Sequence, residues 1–327
     1  MEADEESRGG ERRGGAGTVV VLGGTGWVGR HVSAAFAAEG YDVVTVARSA
    51  ARGPAPARFV ALDLVTAPVE EIVAMLEAAR PDVVVNAAGQ PWGTSEPVMR
   101  TSLLVLTERV VAALGRLSFR PRFVQIGTVM EYGPTSPGLP IGEDTEPRPA
   151  GPYGEIKLAG SRAVLAAARA GTVDGVVVRL VNVVGPGTAA ASLLGRVLDR
   201  LLTARREGSA AELVLAPLRA ERDYIDIRDA ADAVVAAARA DVTGRAVNIG
   251  SGTTVPVRRL VQQLIATSGV ETRLEERDPA AGGPVSPGAG GDWLAVDPGP
   301  ARLRLGWKAR RDLRDALRDD WTERAAR

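Results

Sequence analysis

Apolar positions along the chain fall into two alternating patterns. Short β-branched runs, "GTVVVL" (17–22), "YDVVTVA" (41–47), "PDVVVNAA" (81–88), "PRFVQIGT" (121–128) and "DGVVVRLV" (174–181), read as strands. They are continuous rather than alternating, as expected for strands covered on both faces. Between them lie Ala-rich stretches with helical spacing, at 29–40, at 68–80 with Pro68 at its start, and at 101–117. A further helix is predicted from Tyr153 to about Ala170, after a long Pro/Gly loop. Strands and helices in strict alternation predict an α/β fold, a Rossmann-type doubly wound parallel sheet with right-handed crossovers.

After Asn182 the pattern loosens. A helix is predicted over 192–208, a strand in "AELVLA" (211–216), a mixed segment over 222–239 and a short strand at 245–250, while 278–300 reads as loop. The expected division has a nucleotide-binding domain of residues 18–181, joined by a returning segment 222–250. A smaller mixed C-terminal domain, expected to bind substrate, takes 182–221 and 251–327.

Composition removes several kinds of chemistry. The 327 residues carry 40 basic and 40 acidic side chains, so a nucleic-acid or membrane partner recruited by charge is not expected. Without cysteine there is no disulfide framework or thiolate metal site, and with His31 as the one histidine no metal site is expected. His31 reads as a helix residue without chemistry. No apolar run reaches the ~18 residues of a membrane span. Residues 1–17, charged and glycine-rich, lack the apolar core of a signal peptide and predict a disordered tail; a cytoplasmic location is the expectation.

Chemistry then rests on two stretches. "VVVLGGTGWVGRH" places Gly23, Gly26 and Gly29 between the first strand and the first helix. Such glycines permit a tight turn and let the backbone, here including Trp27 and Val28, approach a pyrophosphate at a helix N-terminus. An acid that would hold an adenine ribose 2′-hydroxyl is expected ~20 residues on. Here the second strand ends at Ala47, followed by Arg48, Ser49 and Arg52, which favours a 2′-phosphate and hence NADP(H). The second stretch, "GPYGEIKLAG" (151–160), puts Tyr153 and Lys157 about 40° apart on one helix face. An ammonium beside a phenol favours the phenolate and predicts a lowered Tyr153 pKa.

With "LDL" (62–64), "NAAG" (86–89), "GTVMEYG" (127–133), "RLVNVVGPG" (179–187), "RDYIDIRDAADA" (222–233) and "LGW" (305–307), the chain resembles the extended short-chain dehydrogenase/reductase family, its NAD(P)-dependent epimerase/dehydratase group. The resemblance runs from residue 18 to about 321. It implies that Thr128, Tyr153 and Lys157 are catalytic, and that Tyr153 and Lys157 also meet the cofactor. It further implies that Asp63 and Leu64 contact the adenine and that Asn86, Ala87 and Ala88 line the nicotinamide side. Asn182 and Arg222 match positions that hold a nucleotide-sugar diphosphate, and Gln90 and Trp92 are candidate substrate contacts. A homodimer is implied through the helices at 101–117 and 153–170, with Ala159, Ala163, Val110 and Ala113 as exposed candidates.

The chain also departs from the family pattern. Val129 and Met130 stand where sugar 4,6-dehydratases carry an Asp-Glu pair, so dehydration is not expected, and Glu131 is read as a surface residue. Ser286 stands where many members have a diphosphate-binding arginine, and Arg277 is the candidate substitute. The asparagine often found in the helix at 101–117 is missing. The leading expectation is an NADPH-dependent ketoreductase of a nucleotide-activated 4-keto-deoxysugar. Three alternatives stay open: a nucleotide-sugar epimerase, a reductase of an aglycone or polyketide ketone, and a non-catalytic NADP sensor.

Overall fold

A computed structural model describes residues 17–50, 58–90, 93–278 and 292–326. The chain runs through β1 (Thr18–Leu22), α1 (Trp27–Ala38), β2 (Asp42–Ala47), β3 (Arg58–Ala61), α2 (Val69–Ala79) and β4 (Val83–Asn86). It continues with α3 (Glu96–Arg100), a π-helical turn (Thr101–Val105), α4 (Leu106–Leu114), β5 (Arg122–Thr128), a 3-10 turn (Val129–Glu131), α5 (Pro152–Arg169) and β6 (Asp174–Leu180). These strands, joined by the later β10 (Ala246–Ile249), form a seven-stranded parallel sheet of order β10-β6-β5-β4-β1-β2-β3.

Alternate residues of β1 serve the two faces. Val19 and Val21 meet Val32 and Phe36 of α1 in one core, and Val20 and Leu22 meet Ile72 and Leu76 of α2 in the other. This double burial is why the strands read as continuous apolar runs. Strand order reverses between β1 and β4, so a crevice opens at the carboxyl ends of those strands.

The second half adds β7 (Asn182–Val184), α6 (Leu193–Glu207), β8 (Ala211–Leu215), β9 (Glu221–Asp226), α7 (Ile227–Arg239) and β10 (Ala246–Ile249). It ends with β11 (Thr254–Pro256), α8 (Val257–Ser268), β12 (Thr272–Glu276), β13 (Trp293–Leu294), α9 (Gly299–Leu305) and α10 (Leu313–Ala325). Strand β9 pairs with β7, β11 and β13 in a small mixed sheet, and β8 pairs with β12. Helices α6, α8 and α10 share a separate core that includes Leu198, Leu201, Leu260, Leu264 and Trp321.

Four expectations change. The return to the large sheet, expected from 222, begins at α7, because residues 222–226 are spent on the small sheet. Strand β3 was not foreseen; its four residues form the edge of the sheet and are at most half-buried. The single helix expected at 101–117 is a π-helical turn running into α4. Val110 and Ala113, expected on a dimer face, have no exposure and pack under the sheet, because α4 turns its apolar stripe inward. Ala159 and Ala163 remain partly exposed. Trp92 and Ser286 lie outside the described residues. Among the described residues no helix is long and apolar enough to cross a membrane.

One carbonyl ties the two halves together. Pro186 O accepts hydrogen bonds from Trp27 Nε1 (3.0 Å) and Arg30 Nη2 (2.6 Å), and His31 Nε2 lies 2.9 Å away. His31 is thus a helix residue that makes a structural contact, and burial, its largest influence, lowers its pKa.

Candidate active site

The glycine turn is built so tightly that its glycines are obligatory. Gly23 has φ of +75°, and a Cβ there would lie 2.5 Å from Ala88 Cα. A Cβ on Gly29 would lie 2.2 Å from Gly23 O. The turn therefore packs against both the segment just after β4 and its own helix. Helix α1 starts at Trp27 and no side chain caps it. By helix geometry the first N–H groups have no intrahelical acceptor and are open to an anion.

Two cavities meet at this turn. One, of about 490 Å³, is lined by Arg48, Ser49, Asp63, Leu64 and the Gly23–Gly26 turn. The other, of about 780 Å³, is lined by Trp27, Val28, Thr128, Tyr153, Lys157 and Arg222 among others. Gly26, Ala87, Ala88 and Gly89 line both. An elongated cleft with an uncapped helix terminus at its waist fits a dinucleotide. Asn86 lines the larger cavity with its amide fixed: Nδ2 donates to Gln125 Oε1 (2.9 Å) and Thr107 Oγ1 (3.2 Å), and Oδ1 accepts from Ala88 N (3.1 Å). Gln90, expected near substrate, lines the smaller cavity instead and is exposed.

Thr128, Tyr153 and Lys157 come together on the wall of the larger cavity. Thr128 ends β5 and caps the following turn, its Oγ1 accepting from Met130 N at 3.3 Å. Its hydroxyl also hydrogen-bonds the Tyr153 phenol. The sequence predicts a phenol lowered by its lysine; the structure differs. Burial, and then the negative charge of Glu131, push Tyr153 up to about 12. Lys157 aims its Nζ at the Ile126 carbonyl, 2.5 Å away, and burial lowers its own pKa.

At the far end, Asn182 donates to Asp223 O (3.2 Å), and Arg222 is only 6 % exposed. Burial lowers the Arg222 pKa, opposed by Tyr224 and Asp292. Arg277 does not line the cavity; it is exposed and paired with Glu275 at 2.7 Å. Loop residues Thr188, Ala189 and Ser192 complete this wall.

Residues 19–250 match the model of the NAD dependent epimerase/dehydratase family. The chain belongs to this family. As a member of the NAD dependent epimerase/dehydratase family it is an NAD(P)-dependent enzyme. It is 43 % identical over 304 residues to a dTDP-6-deoxy-L-talose 4-dehydrogenase (NAD(P)(+)) of Kitasatospora kifunensis, covering 93 % of this chain and 94 % of the relative. Among solved structures, MoeE5 in complex with UDP-glucose and NAD superposes with a TM-score of 0.79 at 26 % identity, over 95 % of this chain and all (100 %) of that one. RMD from Pseudomonas aeruginosa complexed with NADPH shares the fold, with a TM-score of 0.79 at 22 % identity over 95 % and 98 % of the two chains.

Sequence reasoning misplaced Glu131. It is wholly buried, not on the surface, and pairs with Arg179 at 2.8 Å. The signal was present in both segments. A charge within "GTVMEYG" and another within the apolar run "VVVRLV" each need a buried partner.

Proposed function

We propose that the protein is an NADPH-dependent reductase of a nucleotide-activated 4-keto-6-deoxysugar. The observation that carries this reading is the convergence of Thr128, Tyr153 and Lys157 on the cavity that the glycine turn opens into. The 43 % identity to a dTDP-sugar 4-dehydrogenase over nearly the whole chain supports the substrate class. A thymidine diphosphate sugar is the substrate of choice for assay.

Reduction places negative charge on the carbonyl oxygen. The Thr128 hydroxyl and Tyr153 phenol are the two donors for that oxygen, and Tyr153 delivers the proton. A phenol near 12 keeps its proton through the neutral range, which suits a donor in the reductive direction. The nicotinamide cofactor, when bound, supplies the hydride. Lys157 contributes positive charge and is the residue that would hold the ribose. Arg222 and Asn182 would hold the diphosphate, a counter-charge that offsets the burial of the guanidinium.

Arg48 and Ser49 are exposed on the smaller cavity, where they would face the adenine ribose. NADPH is therefore expected to bind more tightly than NADH. Arg48→Ala should narrow that preference by roughly ten- to a hundredfold, the usual worth of a charge-assisted bond. Fluorescence titration with both cofactors measures this, and equal dissociation constants in the unmodified protein would remove its basis.

The proposed dimer uses the outward positions of α4 and α5, with Ala112, Ala159 and Ala163 in place of the buried Val110 and Ala113. Light scattering should give twice the chain mass; a monomer at micromolar concentration would end this proposal.

The functional reading itself is tested by incubating the protein with a dTDP-4-keto-6-deoxyhexose and NADPH. Loss of NADPH absorbance in step with product is expected. Inversion at C-4 of the corresponding dTDP-hexose, supplied in place of the ketone and without net NADPH consumption, would favour an epimerase, and turnover of polyketide ketones alone would move the substrate class.

A further inference from the structure

Glu131 occupies a place that the proposed chemistry does not use. Its Oε1 accepts from Thr128 N (3.0 Å) and from Ser161 Oγ (2.9 Å). Thr128 ends β5, whereas Ser161 lies on α5 one turn beyond Lys157. A single buried oxygen thus staples the two elements that carry the three proposed catalytic groups. The other oxygen, Oε2, accepts from Arg179 Nε of β6 at 2.8 Å. Arg179 Nη1 donates to Tyr132 OH (2.7 Å), with the guanidinium carbon 4.6 Å from that ring's centre. Tyr132 OH in turn donates to Asn248 Oδ1 of β10 at 3.0 Å. The carboxylate is therefore anchored through three strand ends and a helix.

We propose that Glu131, held by Arg179, is a positioning residue: it fixes Thr128 against Tyr153 and supplies the buried negative charge that offsets the Lys157 ammonium. The inference rests on Thr128, Tyr153 and Lys157 carrying the chemistry.

Geometry and charge agree. Glu131 acts on Lys157 in the direction that favours its charged form and on Tyr153 in the direction that favours its neutral form. Both effects keep the site in the protonation state needed to donate a proton. The other groups facing this region are Arg179 from β6, Tyr132 just after the 3-10 turn, Asn248 from β10, Ser161 from α5, and Glu143 from the loop before α5, which faces Tyr132. A purely structural ion pair would leave the phenol's titration unchanged once both charges are removed together.

The test uses cofactor-free protein labelled at the tyrosine ring carbon bearing oxygen. Carbon NMR follows phenolate formation, and the Tyr153 signal is assigned with Tyr153→Phe. The double variant Glu131→Gln with Arg179→Met removes both charges of the pair, so neither partner is left buried without the other. Its Tyr153 phenolate should appear at lower pH than in the unmodified protein, and kcat should fall roughly ten- to a hundredfold with KM little changed. Ser161→Ala cuts only the α5 arm of the staple and covers the case in which the double variant does not fold. It should lower kcat several-fold and leave the Tyr153 titration in place. An unmoved titration in a folded double variant, or unmodified kcat in either variant, would overturn the proposal. The underlying reading fails differently, through full activity in Tyr153→Phe.

Discussion

Replacing Tyr153 with phenylalanine is expected to lower kcat by roughly 10²–10³-fold while leaving NADPH affinity nearly unchanged. The ring would stay where it is, packed with Met99, Leu103, Leu104 and Ile156, so fold and cavity persist. The hydroxyl is lost, and with it the proton donor and the partner of Thr128. Lys157→Met should lower turnover by a similar factor but also weaken NADPH, since only the ammonium is expected to touch the ribose. Thr128→Ala should cost turnover too, plus about 1 kcal/mol of stability, because the same hydroxyl caps the turn at Met130 N. Thr128→Ser keeps the hydroxyl and should retain most activity. If the three groups act as a unit, double variants lose far less than the product of the singles. Stopped-flow turnover with a cofactor titration reads all of this, and a Tyr153→Phe enzyme at full speed would remove the tyrosine from the reaction.

Adding one methyl group to the glycine turn should have the second large effect. In Gly29→Ala the new Cβ would meet Gly23 O at 2.2 Å and Gly24 Cα at 2.8 Å, both backbone atoms that no rotamer can move aside. Either α1 shifts outward from the turn or the turn opens, and each moves the uncapped N–H groups from the passage between the cavities. Overpacking of this kind costs about 1–3 kcal/mol in stability. Cofactor affinity should fall at least tenfold by calorimetry, with melting temperature lowered. As a contrast, Gly93→Ala has nothing within 4 Å of the new Cβ, so its cost should come only from φ of +65°, without change in cofactor binding. Unaltered NADPH affinity in a folded Gly29→Ala protein would contradict a pyrophosphate at this turn.

How far the sequence reached depended on how local each feature is. Strands β1, β2, β4, β5 and β6 stood out because burial on both faces gives each a largely apolar, β-branched run. Strand β3, at the sheet edge, has no such run. The small sheet was mostly invisible, because β7, β11 and β13 are only two or three residues long and are held by pairing with β9 far away in sequence. In the site, the glycine turn and the Tyr-Lys spacing are short-range patterns, and both were legible. Glu131 was not, because its partner Arg179 lies on the neighbouring strand, 48 residues on. The Tyr153 pKa went the other way for the same reason. Its neighbour in sequence is a lysine, but the lysine turns to the Ile126 carbonyl, and burial and Glu131 decide the direction. Val110 and Ala113 were placed on the wrong side of α4, since an apolar stripe seen in sequence fits a core as well as a partner.

The most direct test of the central claim is to follow the hydrogen itself. NADPH carrying deuterium at the nicotinamide C-4 is mixed with enzyme and a dTDP-4-keto-6-deoxyhexose, and the sugar product is read by mass spectrometry and proton NMR. One NADPH should be oxidised per product and, with one face of the nicotinamide labelled at a time, one deuterium should reach sugar C-4 from only one of the two. A product formed without NADPH oxidation, or one that carries no deuterium at C-4 from either label, would contradict that claim.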